Sequence, residues 1–263
     1  MNNSIEAYKN ITSHIFVELG FGNAVDVSKK LYTGSISKVE PEYLRDPDEY
    51  EFYVMEVGHT LAHLLNLCEQ LIHSALFLTS FSQTKRMKNA GITRASQLQY
   101  NVENYIIRSQ SLHDRVLKLV NAVFHLGLRP QDCRHRTITK NTHVRITDIP
   151  SNLKKIRKLV DQYRQDRNIV IHHESYQEDD LRKLEMFYLV QSLENDQKPT
   201  DYEIPPYVTR NLSKKIVDQK TEEYDHFNVT AFTELELLFN KLKPKYNDML
   251  IDLNRKCGHA NNH

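Results

Sequence analysis

Arg167-Asn168-Ile169-Val170-Ile171-His172-His173 closes a stretch that otherwise has the spacing of an amphipathic helix. Its polar members suit phosphate chemistry. A guanidinium offers a phosphate a rigid fork of donors, an imidazole moves protons near neutral pH, and the Asn168 amide can orient either one. Leu153, Ile156, Val160, Tyr163, Arg167 and Val170 are three or four residues apart in turn, so they share one helix face. Arg167 therefore falls inside the apolar stripe, where it reaches a buried carboxylate, snorkels outward along its stem or lines a cleft. On a wheel of about 100° per residue, Asn168 and His172 share a flank and His173 takes the other. Arg167 and His172 are about 140° apart in continuous helix. Either the helix ends near them or a second copy of the chain completes the site.

The elements that must position this run are helical. Glycines and prolines number seven and eight, and no β alternation recurs between close turns, so a sandwich or barrel is excluded. A short helix is expected over about 4–19, followed by an irregular region with Gly20, Gly22, Gly34 and Pro41. Long helices are expected at about 48–81 and 93–126, the second closed by Gly127 and Pro130. A basic connection over 130–150 carries a short extended piece at 142–146. The helix that bears the run enters at Pro150-Ser151 and continues through Ile171. Further helices are expected at 177–193, 208–224 and 229–253, the last interrupted near Pro244. The fold class that follows is all-α, an antiparallel bundle of long core helices with peripheral helices. Residues 1–263 read as a single domain with its core at about 48–195.

Hydrophobic residues make up 40% of the chain and charged ones 26%, enough apolar material to bury a real core. Net charge is only +1, but its distribution is uneven. Between Arg129 and Arg167 eleven bases face four acids, and between Glu174 and Glu203 the acids dominate. A local basic field draws polyanions even to a neutral protein; solvated helix faces are the alternative origin of the same charges. Cys68, Cys133 and Cys257 are scattered and odd in number, which points to a reducing compartment. The first ten residues lack the pattern of a signal peptide, and the apolar stretches are interrupted by polar residues. A cytoplasmic location without membrane contact is the expectation.

Arg167, Asn168 and, after three more residues, His172 resemble the Arg-x4-6-His motif of the HEPN superfamily. The order of two long helices before the motif helix extends the likeness over roughly 48–195. The doubled histidine permits a second register through His173, and the shared flank with Asn168 favours His172. Glu174 stands two residues after His172, where many members that carry a Tyr place it; here Tyr176 comes later. The resemblance implies a helical bundle, usually a homodimer, and in many members a metal-independent endoribonuclease of toxin–antitoxin or phage-defence systems. His172 would then serve as general base on a ribose 2′-OH or as general acid to the 5′-oxygen, and Arg167 would stabilise the transition-state phosphate. The product would carry a 2′,3′-cyclic phosphate, and no cofactor is needed. RNA, a second copy and an antitoxin or sensor protein are the implied partners. A polar residue of the preceding helix often stands near such a site, which makes Ser109, Asp114 and Glu103 candidates for support, against the simpler reading of a satisfied core serine and surface carboxylates.

Two other readings remain open on the residues alone. The same motif suits a non-catalytic module that binds nucleotide or RNA or holds a protein partner, and a buried ion pair on Arg167 suits a plain helical scaffold. Glu56, His59 and His63 share a helix face with metal-binding spacing, and Glu223 with His226 repeats Glu-x-x-His. Carboxylates from two further helices, which such a centre needs, are not evident, so no metal is expected. Cys257-Gly258-His259 and His263 read as a tail. Phosphate-loop and nucleophile-elbow patterns are absent from the sequence.

Overall fold

The computed structural model describes residues 2–31, 45–172, 175–176, 178–196 and 204–258. Among them are helices and turns and no strand: α1 (Asn2–Thr12), α2 (Ile15–Leu31), α3 (Glu49–Thr79), α4 (Lys85–Asn89) and α5 (Arg94–Val123). After a 3-10 turn at Pro130–Asp132 come α6 (His135–Lys140), α7 (Thr142–Arg145), α8 (Ile149–Asp161), α9 (Arg164–His172), α10 (Asp179–Asp196) and α11 (Pro206–Lys256). The chain is all-α. It divides into two compact units, a motif unit of Met1–Ile5, Glu69–Gln110 and Val160–Val229, and a second unit of Glu6–Cys68, Ser111–Leu159 and Thr230–His263.

The motif unit is built on aromatic rings. Tyr105 of α5 and Tyr224 of α11 stack with centroids 3.5 Å apart, and the Tyr105 hydroxyl donates to Asn228 Oδ1 at 3.0 Å. The second unit has its own aromatic core, in which Tyr246 of α11 stacks on Tyr53 and meets the edge of Phe16. Tyr53 also donates its hydroxyl to the Val123 carbonyl at 3.0 Å, which fixes the end of α5. Asn121 then exchanges hydrogen bonds with the backbone of Leu128 in both directions, closing the turn through Gly127, whose φ is 66°.

Several sequence expectations change. Gly20 and Gly22 lie within α2 rather than in an irregular region, while Gly34 and Pro41 lie outside the described residues. Gly20 and Gly58 serve helix packing: a Cβ on Gly58 would stand 2.5 Å from the Ala24 Cβ, and one on Gly20 would stand 3.0 Å from a Leu61 methyl. Residues 142–146, β-branched at alternate positions, are not extended. The Asn141 side chain accepts from the His143 amide at 2.9 Å and caps α7 instead. α11 runs unbroken over Pro206–Lys256, joining the separate helices expected at 208–224 and 229–253 and passing through Pro244, since Tyr224, Phe227, Ala231, Phe232, Leu235, Leu238, Phe239, Leu242 and Tyr246 stay buried at helical spacing. Tertiary burial there outweighs the roughly 3 kcal/mol that an interior proline costs a helix. Finally, the motif helix is not continuous from Pro150: it breaks between Asp161 and Arg164.

α3 is the one described helix long and apolar enough to cross a membrane, contrary to the reading of its polar interruptions, and 56% of the 18-residue stretch within it that is apolar enough is buried within the protein. Its start is well capped. Asp48 Oδ1 accepts from the Glu51 amide at 2.9 Å, and Glu51 Oε2 accepts from the Asp48 amide at 3.1 Å, a reciprocal capping box. Arg45 grips the same buried carboxylate with both arms at 2.7 and 2.6 Å.

Two outcomes follow from these contacts. Gly58→Ala should destabilise the protein by about 1–3 kcal/mol in urea unfolding, because the methyl overpacks α2 by more than alanine's helix preference of roughly 1 kcal/mol returns. The Arg45 hydrogen bonds hold the Glu51 carboxyl below the usual carboxylate range. Its contribution is therefore complete above that range and lost as pH falls through the depressed value. Glu51→Gln should lower the melting temperature at pH 7, and the gap to wild type should close on acidification; a gap that widened in acid would refute the assignment.

Candidate functional site

Tyr163 sets where the motif helix begins. Its ring is buried 5.4 Å from Phe227 and edge-on to Tyr105 at 5.9 Å, and its hydroxyl donates to Glu223 Oε1 at 2.7 Å. Burial, reinforced by Tyr105 and Glu223, pushes the phenol well above its usual range, so it remains a donor. The Val160 carbonyl accepts from both the Tyr163 amide and the Gln110 side chain of α5, which stabilises the break after α8. α9 then starts afresh, with the Arg167 amide donating to the Tyr163 carbonyl at 2.9 Å.

Arg167 is the fourth residue of α9 and is half-buried. Its Nη1 donates to Oδ1 of the exposed Asn168 at 3.2 Å, so the amide holds the guanidinium. Among the described residues no carboxylate pairs with Arg167, whereas its neighbour Arg164 stands 3.5 Å from Asp161. His172 is the last residue of α9, described by its backbone alone; His173 and Glu174 lie outside the described residues.

Where the chain is described again, it is fastened on two sides. The Tyr176 amide donates to Glu103 Oε1 of α5 at 2.8 Å. Its hydroxyl donates to Glu178 at 3.2 Å and accepts from Lys220 of α11 at 3.2 Å. Lys220, 7% exposed, lies 2.9 Å from Glu178 and 3.0 Å from Glu223. Burial alone would lower the Lys220 ammonium, but Glu223, Tyr176 and Glu178 together raise it. Burial pushes the Tyr176 phenol up to about 12. Burial likewise lifts the Asp166 carboxyl above its ordinary range, against the pull of Lys220.

Of the residues singled out for support, Glu103 holds the chain beyond α9. Ser109 is fully buried, with its hydroxyl donating to the Ile106 carbonyl of its own helix at 2.8 Å. Asp114 is exposed on the part of α5 that belongs to the second unit. Tyr163, Lys220 and Glu223 escaped sequence reasoning as site-building residues. Glu223 pairs by spacing with His226 in the sequence, whereas the informative spacing is the three-residue step from Lys220 to Glu223. In the second unit His59 and His63 do meet, Nε2 to Nε2 at 3.0 Å. No group of three or more His, Cys, Asp or Glu side chains is placed to hold a metal among the described residues.

The family described as HEPN_Cthe2314-like HEPN matches residues 57–243. The chain belongs to that HEPN family. The matched span holds α5, α8, α9 and α10 whole, with most of α3 and much of α11, and so contains the α9 contacts described above. No curated protein and no solved structure matches the chain. Membership makes this a HEPN-type nuclease or nucleotide-binding module in general terms.

The Lys220 cluster can be tested as an anchor of the unit that holds α9. Lys220→Met strands two carboxylates in partly dry surroundings and should cost roughly 2 kcal/mol in urea unfolding, below the full penalty for a sealed pair because both acids keep some solvent. Adding Glu223→Gln should return part of the loss; simple additivity of the two changes would show that they do not interact.

Proposed function

We propose that this HEPN protein is a metal-independent endoribonuclease with Arg167 and His172 as its catalytic pair. The observation that carries the reading is the state of Arg167: a part-exposed cation on the motif helix, oriented by the neutral Asn168 amide and paired with no described carboxylate. A scaffold arginine would spend its charge on an acid. This one keeps it for an anion that comes from outside, and a guanidinium fork suits the equatorial oxygens of a phosphoryl transition state.

The reaction is transesterification. His172 withdraws the proton of a ribose 2′-OH, the 2′-oxygen attacks the adjacent phosphorus, and the P–O5′ bond breaks, with a proton returned to the 5′-oxygen. One RNA strand thus yields a 2′,3′-cyclic phosphate end and a 5′-hydroxyl end, while DNA lacks the nucleophile. α9 is continuous helix between Arg167 and His172, so their backbone positions lie about 140° apart around its axis, which supports a site completed by a second copy. The basic composition of 129–167 supports attraction of a polyanion. An activity of this kind fits a toxin or phage-defence role held in check by an antitoxin or sensor partner.

Purified protein incubated with RNA in excess chelator should cut it and leave cyclic phosphate ends. Arg167→Ala and His172→Ala should each reduce the rate by about 10²–10⁴-fold, while both variants keep the wild-type helical spectrum. Light scattering should return twice the chain mass of 30.9 kDa. Intact RNA after incubation with folded wild-type protein would remove the catalytic reading.

A further inference from the structure

The second unit holds a cavity of about 410 Å³ lined from α3 by Glu56, His59, Thr60 and His63, and from α5 by Arg115, Lys118 and Asn121. Leu128, Pro130 and Cys133 complete the wall. None of these residues belongs to the motif unit. The wall is built in advance. Asn121 pins Leu128 through the two hydrogen bonds already described, and Arg115 Nη1 donates to the His63 carbonyl, tying α5 to α3.

The charges that face the cavity choose its ligand. Arg115 and Lys118 have no carboxylate partner among the described residues, and Glu56 is the single carboxylate in the lining. Two imidazole nitrogens 3.0 Å apart would suit either a shared metal ion or a shared anion. A cation is disfavoured by Arg115 and Lys118 alongside, and among the described residues no group of three His, Cys, Asp or Glu side chains is placed to hold a metal. Burial, followed by His59, Arg115 and Lys118, lowers the His63 imidazole, so an incoming anion would restore its proton. Burial lifts the Glu56 carboxyl, which weakens its repulsion, and leaves it able to accept from a hydroxyl. The volume falls in the range of small-molecule sites and is far more than a bare phosphate fills, and Leu128 and Pro130 give it an apolar side.

We propose that this cavity binds a phosphate monoester with a hydroxylated organic body, a sugar phosphate or mononucleotide, whose phosphate lies among Arg115, Lys118, His59 and His63. Glu56 accepts from a hydroxyl of the same ligand, and Leu128 with Pro130 covers its apolar face. The site is separate from the Arg167 motif and does not depend on any ribonuclease activity.

Calorimetric titration of the full chain with adenosine 5′-monophosphate, ribose 5-phosphate, inorganic phosphate and adenosine tests this. Either ester should bind at one site per chain, more tightly than inorganic phosphate, and adenosine should not bind; the stronger ester identifies the body. Arg115→Ala should weaken binding at least about tenfold, the loss of a charge-assisted contact. Lys118, being exposed, gives a second variant, Lys118→Ala, that folds whatever Arg115 does for α3 and should also weaken binding. Binding should tighten from pH 8 to pH 6 in wild type, and that dependence should shrink in His63→Ala. Arg167→Ala should bind like wild type. The proposal is overturned if neither ester saturates a site, if Arg167→Ala abolishes binding while Arg115→Ala and Lys118→Ala do not, or if zinc binds through His59 and His63 and phosphate esters do not.

Discussion

The Tyr163 ring must be buried while its hydroxyl finds an acceptor, and this double requirement determines where the motif helix starts. The ring packs against Phe227 and Tyr105, and Glu223 takes the proton of the hydroxyl. A helix continued straight through from α8 would carry Val160, Tyr163 and Arg167 on one stripe. The break between Asp161 and Arg164 gives up that regularity. The freed geometry at Val160 is satisfied by Gln110, and Tyr163 still reaches the core. Arg167, no longer bound to the stripe of α8, is half-exposed and available to Asn168.

Around this point the motif unit places its acids and bases in an order that leaves Arg167 without a carboxylate partner among the described residues. Lys220 absorbs the charge of Glu178 and Glu223, and Asp166 lies in the same field. Glu103 is occupied by the Tyr176 amide and the Gln99 side chain. The nearby carboxylates are thus engaged with one buried ammonium or with hydrogen-bond donors. A chain whose sequence is nearly neutral can in this way present a guanidinium that no described carboxylate compensates, because those charges are settled among other partners.

Much of this could be read in the sequence, and the reasons for the remainder are physical. α3, α5 and α10 announce themselves by apolar spacing and by Gly127 or acidic starts, and their limits shift by only a few residues. Arg167 draws notice in the sequence because it is a polar group inside an apolar stripe, with Asn168 beside it on the flank. The break at Gln162-Tyr163 was not, since no glycine or proline marks it; the cause is a hydroxyl seeking Glu223, sixty residues away in the chain. Pro244 misled in the opposite direction, because local propensity cannot weigh the burial of Leu242 and Tyr246 on either side of it. Gly20 likewise looks like a loop residue until Leu61 is seen against it, and the need for glycine at Gly58, inside an expected helix, shows only once Ala24 is seen against it. The grouping of His59 and His63 with Arg115 and Lys118 joins α3 to α5, and helix periodicity carries no such information.

The brevity of α9 has an energetic meaning of its own. At nine residues it falls below the length at which helices persist unaided in water. Its helical content is therefore borrowed from its moorings, Tyr163 at the near end and Tyr176 on Glu103 just past the far one. A segment held in this way opens as one small cooperative unit, at a free energy that can lie well below that of the whole protein. The residues that would carry the chemistry thus occupy a part of the molecule whose order is conditional, and whatever tightens or loosens two tyrosines sets how often that order exists.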